Sequence, residues 1–182
     1  MLQTCRDSLH ELKSTHALAL CAMCMALHVI LNFLSIPVGG ILRLSFTYLA
    51  LAVIAYLFGP VTAGIAGGAC DILEVLVYNQ MGTPFFPGYT LTAILTGVIM
   101  GFFFYRMEGS KGKLIARIIA CRVVVNLVLN IGLNTLWISM TMGKAYLALL
   151  PPRLWKNLIA LPLEVGLIFL LFQLIAVIRK RK

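Results

Sequence analysis

Charge is what this sequence has least of. Only 12% of its 182 residues are Asp, Glu, Lys or Arg, while 61% are hydrophobic. A soluble domain is nearer ~45–50% apolar and ~25% charged, so a water-soluble globule is excluded. The marks of several reaction classes are missing too. There is no G-x-x-x-x-G-K-[ST], and Gly109-Ser110-Lys111-Gly112-Lys113 is only a basic turn. No H-E-x-x-H, no G-x-S-x-G and no paired aspartates for a metal occur, so no enzyme class is indicated and no cofactor is implied. A repeat of fixed period, a low-complexity tract and an inverted pair of broken helices are likewise absent from the sequence. If the protein moves solute uphill, its energy source lies in other subunits.

Acids are scarcer than bases, six against fifteen, for a net charge of +9. The placement of the bases gives them a meaning. Arg6 and Lys13 precede the first apolar run; Arg106, Lys111, Lys113 and Arg117 surround the middle; Arg179, Lys180, Arg181 and Lys182 close the chain. Drawn with six spans, these sites fall on one side, and the positive-inside rule puts both termini in the cytoplasm. No basic stripe interleaved with aromatics is present, which argues against nucleic acid as a partner.

Six apolar segments can be drawn, at 16–34, 44–58, 61–78, 88–105, 115–140 and 154–178. The expected fold is an all-α membrane protein, a bundle of six transmembrane helices over residues 16–178. An N-terminal cytoplasmic or interfacial segment (1–15) precedes it and a basic cytoplasmic tail (179–182) follows. Gly59-Pro60 reads as a tight inner turn, and Pro151-Pro152 as the start of the last helix. The five cysteines lie mostly in apolar runs. Cys21-x-x-Cys24 reads as small packing residues, since metal or redox chemistry needs more ligands than the span offers.

Polar residues inside the spans converge on the outer half. His28, Asn32 and Ser35 lie there in helix 1, Asp71, Glu74 and Tyr78 in helix 3, and Tyr89, Thr90 and Thr92 at the start of helix 4. Arg122, Asn126, Asn130 and Asn134 recur every four residues and Trp137 follows by three, one stripe that should face the bundle interior. Arg153, Lys156 and Asn157 open the last helix, as interfacial anchors or as a pocket rim beside Trp155. A charge at mid-span costs about 2.5–3.5 kcal/mol on insertion scales. Arg122 and Glu164 are therefore expected to pair, and Asp71 is a candidate ligand contact. Such a pocket suits a flat, polar-edged ligand with an anionic tail: a carboxylate or amide reads the ring edge, an indole or phenol stacks, and Arg holds a carboxylate. Small residues recur four apart. Gly64/Gly68 and Gly97/Gly101 read as internal packing, whereas Ala22/Ala26 suits packing or a partner surface equally.

The runs Arg43-Leu-Ser-Phe-Thr-Tyr-Leu and Phe58-Gly-Pro-Val-Thr-Ala-Gly-Ile-Ala-Gly-Gly-Ala-Cys-Asp71 resemble helices 2 and 3 of the S components of energy-coupling factor (ECF) vitamin transporters. Phe85-Phe-Pro-Gly-Tyr-Thr-Leu-Thr-Ala93 resembles the opening of their helix 4. Asn130-Ile-Gly-Leu-Asn-Thr-Leu-Trp137 and Arg153-Leu-Trp-Lys-Asn157 resemble the folate-specific branch. The resemblance implies six helices, a pocket facing outward beneath a loop between helices 1 and 2, and delivery of vitamin by toppling in a bacterial plasma membrane. It also implies docking of helix 1, through an Ala-x-x-x-Ala face matched by Ala22 and Ala26, on a coupling subunit that carries two ATPases. For folate, Asp71 or an Asn of the stripe (Asn130, Asn134) would read the pterin edge, Tyr89 or Trp137 would stack, and Arg153 or Lys156 would hold the glutamate. The alternatives are another vitamin (riboflavin, thiamine or pantothenate), an intramembrane enzyme using Asp71, Glu74 and His28, or a structural subunit without ligand.

Overall fold

The computed structural model describes Ser8 and residues 15–38, 42–77, 85–105, 107, 111–143 and 146–180. The rest of the N-terminal segment, Tyr78, Arg106, Arg181 and Lys182 lie outside the described residues.

Helix α1 (Thr15–Phe33) is an apolar run that ends where the Ser35 N–H turns back to the Asn32 carbonyl at 3.0 Å. Two short strands follow, β1 (Ile36–Val38) and β2 (Leu42–Leu44), paired antiparallel with Pro37 opposite Arg43. Apart from this hairpin the elements are helices, as expected. Three-residue strands are too short to leave a period-two pattern that could be told from a loop. Helix α2 (Thr47–Val77) starts where the Ser45 hydroxyl accepts the Thr47 N–H at 3.3 Å, satisfying one of the free donors of a helix start.

Helix α2 is broken at Gly59, whose φ of 84° and ψ of −173° lie outside the helical region and favour glycine. Pro60 then restarts the helix with a φ that suits its first turn. Leu51 Cδ1 lies 3.7 Å from where a Cβ on Gly67 would stand. On a straight helix those residues would be about 24 Å apart, at ~1.5 Å per residue. The run therefore doubles back, and residues 47–58 and 60–77 form a hairpin. Ser8 closes it: its hydroxyl donates to the Phe58 carbonyl and accepts the Thr62 N–H at 3.3 Å.

Helix α3 (Pro87–Phe104) has proline in its first turn and packs tightly on the α2 hairpin. A Cβ on Gly97 would strike the Ala63 carbonyl, one on Gly101 would strike Pro60, and one on Gly64 would come within 2.7 Å of Val98. Internal packing by these glycines is thus borne out. Helix α4 (Lys111–Val124) continues without a break through a π-helical stretch (Val125–Leu133) into α5 (Asn134–Met142). Helix α6 (Tyr146–Lys180) begins before the double proline rather than at it. Pro151 and Pro152 keep a helical φ but each forfeits an N–H bond and crowds the carbonyl four residues back, so the turn at 146–150 is present at a cost.

Four of these runs are long and apolar enough to cross a membrane: Thr47–Val77, Pro87–Phe104, Lys111–Thr141 and Leu149–Val177. Ala17–Phe33 is a shorter apolar helix. Leu, Ile and Met side chains such as Met23, Ile30, Leu158, Ile159 and Leu170 are more than half exposed along them. So extended an apolar surface is compatible with lipid and not with water.

The core is packed by Ile54, Met100, Phe104, Ile118, Leu129, Ile168 and Phe172. Phe172 meets Phe104 edge-on at 5.1 Å and Tyr56 at 5.0 Å. Phe104 ends α3, whereas Tyr89 begins it, about 22 Å away along the helix. One end of the bundle is thus an aromatic plug, and the polar residues gather at the other.

Candidate functional site

The first turns of α3 carry the site's aromatic wall. Gly88 makes it possible, because a Cβ there would lie 2.7 Å from Trp137 Cδ2 and 2.5 Å from the Phe86 ring. With that space open, the Trp137 indole lies against α3 and its Nε1–H donates to Thr92 Oγ1 at 3.0 Å. The Thr92 hydroxyl donates in turn to the Gly88 carbonyl at 3.0 Å. Phe86 sits 5.5 Å from the Trp137 ring and 5.8 Å, edge-on, from Tyr89. The Tyr89 hydroxyl reaches Thr141 Oγ1 at 3.1 Å, fastening α3 to the end of α5.

The stripe on α4 and the π-helical stretch forms a hydrogen-bonded chain. Arg122 pairs with Glu164 through Nη2, and its Nε donates to Glu164 Oε2 at 3.0 Å. The guanidinium also lies 4.6 Å above the Tyr48 ring. Asn126 Nδ2 donates to the same Glu164 oxygen at 3.3 Å, and Asn130 Nδ2 donates to Asn126 Oδ1 at 2.7 Å. Arg122 and Asn126 are buried, and Asn130 is half-buried. The expected pairing of Arg122 with Glu164 is therefore present. Asp71 takes no part in it.

Arg153, on α6, joins the two groups. Its Nη1 donates to the Asn130 carbonyl at 3.1 Å and to the buried Thr135 hydroxyl at 3.3 Å. Asn126 and Asn130 both lie in the π-helical stretch, four residues apart and so on one face. Arg153 Nε is buried and has no hydrogen-bond partner among the described residues. Asn134, Lys156 and Asn157 are half-buried nearby on α5 and α6, whereas Trp155 is 67% exposed and faces away.

Asp71 stands apart from this group. Its Oδ2 accepts the Thr90 hydroxyl at 2.7 Å. Thr90 and Thr92 are two residues apart on α3, about 200° around the helix, so Asp71 lies across α3 from the indole. His28 and Glu74 meet by themselves at 3.0 Å between α1 and α2. Ala22 and Ala26 are exposed on α1, on a surface shared with Met23 and Leu27. Among the described residues no three His, Cys, Asp or Glu side chains stand close enough to hold a metal.

Sequence reasoning named Tyr89, Trp137, Asn130 and Arg153, which the fold brings together, but it missed Thr135 and Thr141. Threonine in a helix can bond its own backbone, as Thr141 does to the Trp137 carbonyl at 2.9 Å, so its presence in an apolar span carries no signal. Phe86 was visible only as one residue of an aromatic run.

Residues 16–172 match the family described as "ECF transporter, substrate-specific component". The folate transporter FolT of Clostridium novyi (strain NT) is 30% identical over 159 residues, which is 87% of this chain and 88% of that protein. The folate transporter FolT of Leuconostoc mesenteroides subsp. mesenteroides is 29% identical over 178 residues, 95% of this chain and 93% of that protein. A crystal structure of FolT bound with folic acid superimposes with a TM-score of 0.76 at 32% identity, covering 86% of this chain and 92% of that one.

Proposed function

This chain belongs to the substrate-specific components of ECF transporters, membrane proteins that serve transport, and we propose that it captures folate from outside the cell for delivery inward. One arrangement carries the reading: an aromatic wall and a half-buried guanidinium whose buried Nε–H is unused stand at the same end of a bundle related to folate transporters. Tyr89 and Trp137, backed by Phe86, would bracket the flat pterin. Asn130, helped by Asn134, would read its polar edge. Arg153, with Lys156 and Asn157 beside it, would hold the glutamate tail, since a guanidinium takes a carboxylate through two parallel bonds. Asp71 is the weaker candidate for the ring edge because Thr90 holds it on the other face of α3.

In this reading residues 16–178 cross the bilayer six times: α1, the two halves of α2, α3, the α4–α5 run and α6. The even count and the basic ends keep both termini in the cytoplasm. The N-terminal segment expected at 1–15 and the basic tail expected at 179–182 lie mostly outside the described residues. Ala22 and Ala26 form the dock for a transmembrane coupling subunit with two ATPases, because small exposed residues let a partner helix approach closely. The chain itself performs no catalysis.

Titration of the purified protein in detergent with folic acid, riboflavin, thiamine and pantothenate tests the reading, with Trp fluorescence or calorimetry as readout. Folic acid should bind more tightly than micromolar, about −8.2 kcal/mol, and the others should not. Tight binding of a different vitamin, with folate weak, overturns the folate assignment and leaves the family unchanged.

A further inference from the structure

A chain of amides has a direction, and here a buried ion pair sets it. Arg122 is always charged, and the Glu164 carboxylate paired with it can only accept hydrogen bonds. Asn126 must therefore turn its NH2 toward Glu164, which leaves its Oδ1 facing Asn130. Asn130 must then turn its own NH2 toward Asn126. These orientations do not depend on telling amide nitrogen from oxygen, because the carboxylate at the end of the chain fixes each one. Asn126 is 3% exposed and Arg122 3%, so neither has water as an alternative partner. Asn130, half-buried, is where the chain of amides ends, beside Arg153, which donates to its backbone carbonyl.

We propose that Glu164 and Asn126 are positioning residues that fix the Asn130 amide with its carbonyl oxygen toward the ligand, so that the site selects a ring edge presenting a hydrogen-bond donor. The proposal rests on the folate reading, in which Asn130 touches the ring. It extends that reading by placing a specificity determinant one to two side chains below the site. A buried acceptor left without its donor is penalised far more than a formed bond is rewarded, so the fixed orientation discriminates by rejection.

Cutting the chain tests it. Asn126→Leu removes the acceptor that holds the Asn130 NH2 and leaves the Arg122–Glu164 pair in place. Folic acid affinity should fall at least tenfold, although the altered residue does not touch the ligand. Combined with Asn130→Leu, it should lower affinity no further than Asn130→Leu alone. A role confined to stability predicts instead that the two losses add. Thermal midpoints of the unliganded variants show which are folded, and Asn126→Ser serves in the same cycle should Asn126→Leu not fold. Additive losses in the pair, or unchanged affinity in the single Asn126 variant, overturn the proposal. Failure of the wild-type protein to bind folic acid would instead count against the folate reading.

Discussion

If Arg153 holds an anionic tail as proposed, replacing it by alanine should lower the preference for that tail at least tenfold, and the size of the loss can be worked from the contacts. The guanidinium has five N–H donors. Two contacts from Nη1 tie it to the Asn130 carbonyl and Thr135, and Nε stands buried without a partner. Nε and Nη2 form the other edge of the guanidinium, and a carboxylate that accepts from Nε there would form a parallel pair. Hydrogen bonds to charged groups contribute about 1.5–3 kcal/mol each, and the partial exposure of the site discounts the upper end, so ~3 kcal/mol, or about 100-fold in affinity, is expected. Alanine also removes the bonds to Asn130 and Thr135, so affinity for folic acid alone would mix two effects. The dimethyl ester of folic acid separates them, having the same ring and tail length without charge. Wild type should prefer the acid by about 100-fold, and Arg153→Ala should reduce that ratio at least tenfold, Lys156 accounting for what persists. Calorimetric titration of both ligands against both proteins at one salt concentration measures the ratio. An acid-to-ester ratio unchanged in Arg153→Ala would refute the assignment, whatever happened to the absolute affinities.

Four further outcomes are expected. Asp71→Asn should change folic acid affinity by less than threefold, because its partner Thr90 lies across α3 from the indole; a tenfold loss in the same titration would move the site to the α2 side. Ala22→Leu with Ala26→Leu should leave folic acid binding intact and block co-purification with the coupling subunit and cellular uptake, since both residues are exposed on α1; normal uptake would remove that face as the dock. Gly97→Ala should lower the thermal midpoint by an amount equivalent to about 1–3 kcal/mol of overpacking, because its Cβ would strike the Ala63 carbonyl. Gly166→Ala, with nothing within 4 Å of its Cβ, should leave the midpoint unchanged or raise it.

The long apolar runs, the glycine contacts and the Arg122–Glu164 pair were legible in the sequence because each follows from a local rule: span length, four-residue spacing, and the cost of an unpaired charge in lipid. What was not legible depends on geometry between elements. Asp71 and Tyr89 look equally well placed by depth, and only the azimuth of Thr90 against Thr92 separates them. The spacing of Asn126 and Asn130 reads as ordinary helix, since a π-helical stretch leaves no mark in the sequence. The hairpin at β1 and β2 and the extra turn ahead of Pro151 are set by contacts too local or too distant for periodicity to register.

The polar side chains of this bundle divide by whether their bonding capacity is used up within the protein. Arg122 and Asn126 are buried and both bond the half-buried Glu164, which suits a part of the structure that keeps its shape when the ligand is absent. Arg153 differs, because its side chain is tied down at Nη1 and unsatisfied at Nε. A buried donor in that state costs roughly 1–3 kcal/mol until something accepts from it. A ligand with a carboxylate at that point removes the cost, and one with an apolar or cationic group there leaves it in place. On the proposed reading, selectivity for an anionic tail would therefore arise from a penalty already present at Arg153, held there by Asn130 and Thr135, rather than from attraction alone.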